Sequence, residues 1–141
     1  MSGDKTFVDT NVFVYAIDRH AGAKQKRAQE LLAQLGSSIV LSSQVLQEFY
    51  VTVTRKLAKP LPPDEAERRV HELSGLDVLL IDVPIIRAAI TLSRHHRLSF
   101  WDALVIGSAH ARGCARLVSE DLQDGRVFGD VRIENPFAGL E

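Results

Sequence analysis

The feature of this chain that most constrains its fold is an alternation of short apolar runs with longer segments of helical periodicity. Mainly apolar runs predict strands at residues 6–8, 39–41, 78–81 and 115–118, with 131–133 as a candidate fifth strand. The predicted helices lie between them, at residues 12–18, 23–35, 43–57, 64–73, 84–97 and 101–111. This rhythm is typical of βαβ units, which form a mostly parallel sheet with helices on both faces. The predicted fold is therefore an α/β fold, a three-layer α/β/α sandwich.

Capping residues mark several of the predicted helix starts. Asp9, Ser42 or Ser43, Asp82 and Ser99 each precede a helix, and Asp and Ser side chains accept hydrogen bonds from the free N–H groups of a first turn. The proline-rich residues 60–63 break the chain between two helices without forming a linker long enough to divide domains. We therefore expect a single domain over residues 1–141.

Composition narrows the class of protein. The chain has 141 residues, 17 Lys and Arg, 18 Asp and Glu, and a formal net charge of −1. A near-neutral total argues against nucleic-acid binding only if every charge lies on the surface, since phosphate backbones attract basic surfaces. The single cysteine, Cys114, excludes an internal disulfide and a cysteine-based zinc site. Neither a secretion signal nor a membrane-length apolar segment is visible, so a cytoplasmic location is expected.

Four acidic residues fall close to predicted strand ends. Asp9 directly follows the first strand, Glu48 lies in the helix after the second, and Asp102 opens the helix that leads into the fourth. Asp121 follows the fourth strand by three residues. Sites in open parallel sheets form beyond the carboxyl ends of the strands, so these carboxylates are expected at one rim.

Each acid also has a structural explanation. Asp9 is a good helix cap, and Ser99 with Asp102 fits a capping box, in which the acid returns a hydrogen bond to the cap. Asp121 lies in a turn-forming segment with Asp124 close behind it. Glu48 falls at the edge of the apolar stripe of its helix, where it can face water or a cleft.

The functional explanation rests on electrostatics. Carboxylates that share a buried site repel one another, and a divalent cation removes that conflict. Oxygen ligands without His or Cys suit Mg²⁺ or Mn²⁺, which can activate water and stabilise charge on phosphate oxygens.

Five segments in order resemble the PIN-domain ribonucleases, and most closely the VapC-type toxins of bacterial toxin–antitoxin pairs. The segments are FVDTNV at 7–12, QEFY at 47–50, SFWDAL at 99–104, LVSEDL at 117–122 and RIENPF at 132–137. They span nearly the whole chain. The resemblance implies a PIN-like fold and a metal-dependent endoribonuclease that cleaves RNA phosphodiester bonds with water as the nucleophile.

The resemblance also assigns roles to individual residues and implies partners. The catalytic and metal-binding acids would be Asp9, Glu48, Asp102 and Asp121. Asp9 and Asp102 would bind Mg²⁺ or Mn²⁺ most directly, and the other two would complete the site directly or through water, or position the attacking water. Supporting roles around the ligands fall to Thr10, Asn11, Ser119 and Asp124. A homodimer and a cognate antitoxin protein that covers the site are implied as well. The leucine- and alanine-rich faces of 23–35 and 64–73 are candidate contact surfaces, although core packing explains them equally well.

Basic residues cluster in acid-free windows at 19–29, 49–63, 83–101 and 103–119. Such runs are usually solvated helix faces, and in an RNA-cleaving protein some of them would contact phosphates. Trp101, beside Asp102, is expected to be a core residue rather than a base-stacking platform.

Other functions fit the sequence less well. A haloacid-dehalogenase-type phosphatase would need an Asp where Asn11 stands, and a phospho-receiver domain needs a lysine after its last strand, whereas the last lysine here is Lys59. The remaining alternative is a catalytically idle PIN-like module that binds RNA or a protein.

Overall fold

The computed structural model describes residues 4–140 and contains one six-stranded sheet. The strands are β1 (Thr6–Val8), β2 (Ile39–Ser42), β3 (Asp77–Leu79), β4 (Arg116–Val118), β5 (Val127–Phe128) and β6 (Val131–Glu134). Their order across the sheet is β3-β2-β1-β4-β6-β5, and every neighbouring pair is parallel except β5 with β6. The predicted, mostly parallel sheet is confirmed.

Helices connect the strands and cover both faces of the sheet. They are α1 (Thr10–Ile17), α2 (Ala23–Leu35), α3 (Ser43–Arg55), α4 (Pro63–Leu73), α5 (Val83–His96) and α6 (Phe100–Ala111), with a 3₁₀ turn at Gly36–Ser38. Helix α1 packs on α2 and α3, and α3 packs on α4, whereas α5 packs on α6. Because crossovers between parallel strands are right-handed, the two groups lie on opposite faces. The three-layer sandwich is therefore confirmed.

The core lies between the sheet and these helices. Phe7 of β1, Leu41 of β2, Phe49 of α3, Leu117 of β4 and Ile133 of β6 are almost completely buried. Burial of an aliphatic or Phe side chain contributes about 1.5–3 kcal/mol, so this cluster stabilises the strands that carry the predicted acids. Leucines of α2 and α4 pack against the same core, in keeping with the core-packing explanation of those faces.

Most predicted boundaries lie within a few residues of the observed ones, and strand β5 is an addition to the predicted elements. Strand β5 pairs with β6 through a two-residue turn at Gly129–Asp130, where Gly129 has a φ of +59°. A Gly-Asp pair between short apolar runs is a hairpin signal, but Val127 and Phe128 alone were too short a run to predict. No helix within residues 4–140 is long and apolar enough to span a membrane.

The strand order reverses next to β1. Strand β1 leads through α1 and α2 to β2 on one side, while β4 lies on its other side. The chain leaves β1 toward β2 and leaves β4 toward β5 and β6, so the two loops diverge in opposite directions along the sheet and leave a crevice, the usual place for a ligand in an open α/β sheet.

Candidate active site at the carboxyl end of the sheet

The loops after β1 and β4 lie side by side at this crevice. The backbone N–H of Asp9 donates to the Val118 carbonyl at 3.0 Å, so the pairing of β1 and β4 continues one residue beyond β1. Ser119 follows β4 directly, and Asp121 lies two residues further along the same loop. The topology thus brings Asp9 and Asp121 together although 111 residues separate them in the chain.

Asp9 is buried, with 7% of its surface exposed, and both carboxylate oxygens have fixed partners. Oδ1 accepts a hydrogen bond from the Thr10 backbone N–H at 2.8 Å, and Oδ2 accepts one from the Ser119 hydroxyl at 2.7 Å. Asp9 is also the N-cap of α1. Its capping and site roles are therefore compatible.

Glu48 faces the crevice from α3. Its Oε1 accepts a hydrogen bond from the Thr10 hydroxyl at 2.8 Å, and its Oε2 accepts one from the Gln44 amide, one turn earlier, at 3.2 Å. Thr10 therefore contacts Asp9 through its backbone and Glu48 through its side chain. The edge position predicted for Glu48 on its helix is confirmed by its partial burial.

Asp102 and Asp121 complete the group. The Asp102 backbone N–H donates to the Ser99 hydroxyl at 3.1 Å, as a capping box predicts. Within residues 4–140, however, the Asp102 carboxylate accepts no hydrogen bond, so the return half of the box is absent. The Asp121 backbone N–H donates to the Ser119 hydroxyl at 3.2 Å, so Ser119 links Asp121 to Asp9.

These acids lie close enough together for the negative charges of neighbouring acids to raise the pKa of Asp9 and of Asp121. Burial raises the pKa of Asp9 to about 6, against the hydrogen bonds from Ser119 and Thr10, and the charges of Glu48 and Asp121 raise it further. Burial also raises the pKa of Asp121, with added repulsion from Glu120, Asp102 and Glu48. None of the four acids forms an ion pair with a basic residue in the described part of the chain.

Asn11 lies beside this group with a buried amide. Neither amide atom has a hydrogen-bond partner among the described residues, although the proximity of the amide lowers the pKa of Asp121. A buried amide without a partner is costly, so its position beside an acidic crevice is consistent with a ligand-orienting role. The predicted supporting residues Thr10, Asn11 and Ser119 thus all lie at the site.

A groove of about 710 Å³ opens over the acids. Glu48 and Asp121 lie in its wall together with Trp101, Tyr15 and Lys56. Trp101 is 62% exposed, so the prediction that it belongs to the core is wrong. It is the second residue of α6, and the buried face of that helix begins only at Ala103.

Comparison with known proteins identifies the family. The family model for the PIN domain matches residues 6–127. The chain belongs to the PIN domain family. No match is found among curated proteins.

Solved structures share the fold of this PIN domain. A toxin–antitoxin complex from Klebsiella pneumoniae has a TM-score of 0.72 at 17% identity, covering 94% of this chain and 98% of that one. A DNA-bound VapBC from Salmonella typhimurium has a TM-score of 0.69 at 22% identity, with the same coverage. The sarcin–ricin loop cleaving toxin VapC20 of Mycobacterium tuberculosis has a TM-score of 0.66 at 19% identity, covering 80% and 87%.

One predicted site residue makes no contact with the rest. Asp124 accepts a hydrogen bond from the Asn135 backbone N–H at 2.9 Å and thereby ties the loop after β4 to the end of β6. It is exposed and has no hydrogen bond to any of the four acids. The supporting role of Asp124 therefore stays a prediction, and no hydrogen bond to the four acids among the described residues supports it.

Other residues at the site were not anticipated. Gln44 holds Glu48, and Glu120 accepts hydrogen bonds from the Tyr15 hydroxyl and the Lys24 ammonium. The one signal for Gln44 was its i, i+4 spacing from Glu48. Basic residues predicted to be candidates for RNA contact are partly used inside the fold, since Lys24, Arg112 and Arg116 form ion pairs with acids.

Proposed function

We propose that this PIN domain is a metal-dependent endoribonuclease that acts as the toxin of a toxin–antitoxin pair. One observation carries the proposal. Four carboxylates from four separate elements converge at the sheet's switch point without a basic partner among the described residues. Such a cluster is electrostatically unfavourable until a cation joins it, and a phosphodiester backbone can then approach.

The donor set fits Mg²⁺ or Mn²⁺. No three Asp, Glu, His or Cys side chains within residues 4–140 are arranged to hold one ion together as they stand. Mg²⁺ is usually held by only one or two carboxylates and keeps several waters, so direct ligation by Asp9 and Asp102 suits it, with Glu48 and Asp121 acting directly or through water. A bound divalent ion would supply a lowered water pKa and charge stabilisation at the phosphate oxygens.

The chain's own residues prepare the reaction. The two hydrogen bonds to Asp9 favour its charged form, which a ligand requires, and fix its rotamer. Thr10 orients Glu48 at Oε1. The free lone pairs of the Glu48 and Asp121 carboxylates are available to position the attacking water and to accept its proton.

The partners follow from the comparisons and from the surface. The solved neighbours include toxin–antitoxin complexes, which supports an antitoxin protein as the partner of this chain. The contact surface of a homodimer is better placed on α5 and just before it than on α2 or α4, because α5 and the residues before it carry exposed large apolar side chains. They are Leu80, Val83, Ile86 and Ile90.

The test is cleavage of structured RNA by the purified protein with Mg²⁺ or Mn²⁺ and with EDTA. Cleavage is expected only with metal, and Asp9→Asn and Asp102→Asn should each abolish it. Asp82→Asn is the matched control, because Asp82 caps α5 and Asn caps helices equally well. Cleavage that persists in EDTA, or in both site variants, would refute the proposal. RNA binding without cleavage under every condition would favour an idle RNA-binding module instead.

A further inference from the structure

Trp101 occupies an unusual position for the chain's single tryptophan. The residue is 62% exposed and lies in the wall of the groove that contains Glu48 and Asp121. The next residue is Asp102, one of the four acids. A large aromatic ring in water beside reactive groups is a surface that a ligand can cover, and its location distinguishes it from scattered exposed apolar residues.

Neighbouring contacts hold Trp101 in place. Its ring meets Phe100 edge to face, with centroids 5.1 Å apart and an interplanar angle of 75°. Its backbone carbonyl accepts a hydrogen bond at 3.5 Å from the Gln44 amide, which also donates to Glu48. The Trp101 backbone and the Glu48 carboxylate thus share one hydrogen-bond donor, and the ring itself packs on Phe100.

We infer that Trp101 is a stacking platform for a nucleobase next to the phosphodiester that is cleaved, an inference that rests on the proposed function. The acids attract metal and repel unneutralised phosphates, whereas the face of an indole ring attracts any base. Lys56 lies in the same groove wall and offers a phosphate contact away from the acids. A single-stranded RNA segment therefore matches the groove: a base on Trp101, the reacting phosphate at the acids and a flanking phosphate toward Lys56.

Because the chain has one tryptophan, its fluorescence reports on this ring alone. The binding test uses the full chain carrying Asp121→Asn, which slows cleavage but keeps the two proposed direct ligands Asp9 and Asp102, with Mg²⁺ and a short single-stranded RNA. We expect saturable quenching of tryptophan emission, and weaker quenching by an oligonucleotide with abasic positions. In the same background, Trp101→Leu should weaken binding of dye-labelled RNA about ten-fold or more, and Trp101→Phe less. Tyr50→Leu is the matched control, since Tyr50 is an exposed aromatic residue outside this groove, and it should bind as tightly as its parent.

Kinetics in the otherwise unaltered protein separate stacking from a general structural role. Trp101→Leu should raise KM about ten-fold and leave kcat nearly unchanged. The inference is overturned if RNA binds without altering tryptophan emission, or if Trp101→Leu binds RNA as tightly as its parent. It is also overturned if emission shifts to the blue with protein concentration alone, because a second copy would then cover the ring. If RNA is cleaved normally by Trp101→Leu, this inference fails while the proposed function stands. If the wild-type protein neither binds nor cleaves RNA, both fail.

Discussion

Aspartates at the two ends of the central sheet have opposite charged surroundings. At the amino end, the Asp77 carboxylate contacts Arg112 Nη1 at 2.5 Å and Lys5 Nζ at 3.7 Å, and its charge is balanced. At the carboxyl end, Asp9 is more deeply buried, has acids as its charged neighbours and has a pKa raised to about 6. The fold neutralises the charge of Asp77, whereas a buried acid with a raised pKa in a crevice is a candidate for a functional site.

The largest expected effect is on the rate of RNA cleavage, which should depend on the acids at the carboxyl end and not on Asp77. Asp9→Asn and Asp102→Asn should each lower RNA cleavage by at least about a hundred-fold, since a ligand matters at least as much as its supporting residues. Asp77→Asn should leave the rate within about two-fold, because Asp77 lies at the opposite end of the sheet from the four acids and its partly exposed ion pair contributes little to stability. Initial rates on one RNA at saturating Mg²⁺ test this, and equal losses at both ends would remove the functional distinction.

The second prediction concerns stability: an Asp→Asn substitution should raise the free energy of unfolding at the carboxyl end and lower it at the amino end. The raised pKa of Asp9 means that its ionisation opposes folding: the cost is absent below pH 3.8, grows up to about pH 6 and is complete above that. In EDTA near neutral pH, Asp9→Asn should raise the free energy of unfolding, by at most about 3 kcal/mol. Its amide can still accept from the Thr10 N–H and donate to the Ser119 hydroxyl. Urea unfolding at neutral and acidic pH measures the gain, which should vanish below pH 3.8.

The third prediction concerns the two hydroxyl groups, those of Thr10 and Ser119, that donate hydrogen bonds to the acids at the carboxyl end. Ser119→Ala removes a hydrogen bond that lowers the pKa of Asp9, and Thr10→Val removes the bond to Glu48. Each variant should reduce cleavage about 10- to 100-fold. Ser119→Ala alone should also shift the pH profile of metal-supported cleavage to higher pH, because the pKa of Asp9 rises when this hydrogen bond is lost. Pre-steady-state rates across pH measure this. Ser108→Ala, a buried serine bonded within α6, serves as the control that should leave the pH profile in place.

The smallest effect is expected for the balanced pair itself. Asp77 is about one-third exposed, with 32% of its side-chain surface accessible, so solvent screens its interaction with Arg112. Asp77→Asn should lower the free energy of unfolding by about 1 kcal/mol or less. A loss well above that in urea unfolding would mean that the amino end stores more of the fold's stability than its exposure implies.

The sequence predicted five of the six strands, the six helices between them and the meeting of four acids at one rim, because hydrophobic periodicity and strand-end positions reflect local chain physics. It could not show that Thr10 bonds Glu48, because that contact depends on how α1 packs beside α3. Nor could it show that Ser119 connects Asp9 with Asp121, since these lie on loops from different strands.

Trp101 was misjudged for a related reason. Aromatic residues are usually buried, and Trp101 lies between Phe100 and, after Asp102, the apolar run at residues 103–106. Trp101 lies in the first turn of α6, whereas the buried residues of that helix begin at Ala103, so the ring remains in the groove. Asp124 shows the reverse case, since its position near Asp121 in the chain predicted a site role, whereas its carboxylate holds Asn135.

The central claim is that the acids at the carboxyl end of the sheet are unbalanced because they hold a divalent cation. Mn²⁺ titration of the wild-type protein, followed by electron paramagnetic resonance near neutral pH, tests it most directly. The account predicts saturable Mn²⁺ binding that is lost in Asp9→Asn and Asp102→Asn, is retained in Asp77→Asn, and weakens as the pH falls because ligands must be deprotonated. Equal Mn²⁺ binding by the wild-type protein and both site variants, or no binding by any of them, would contradict it.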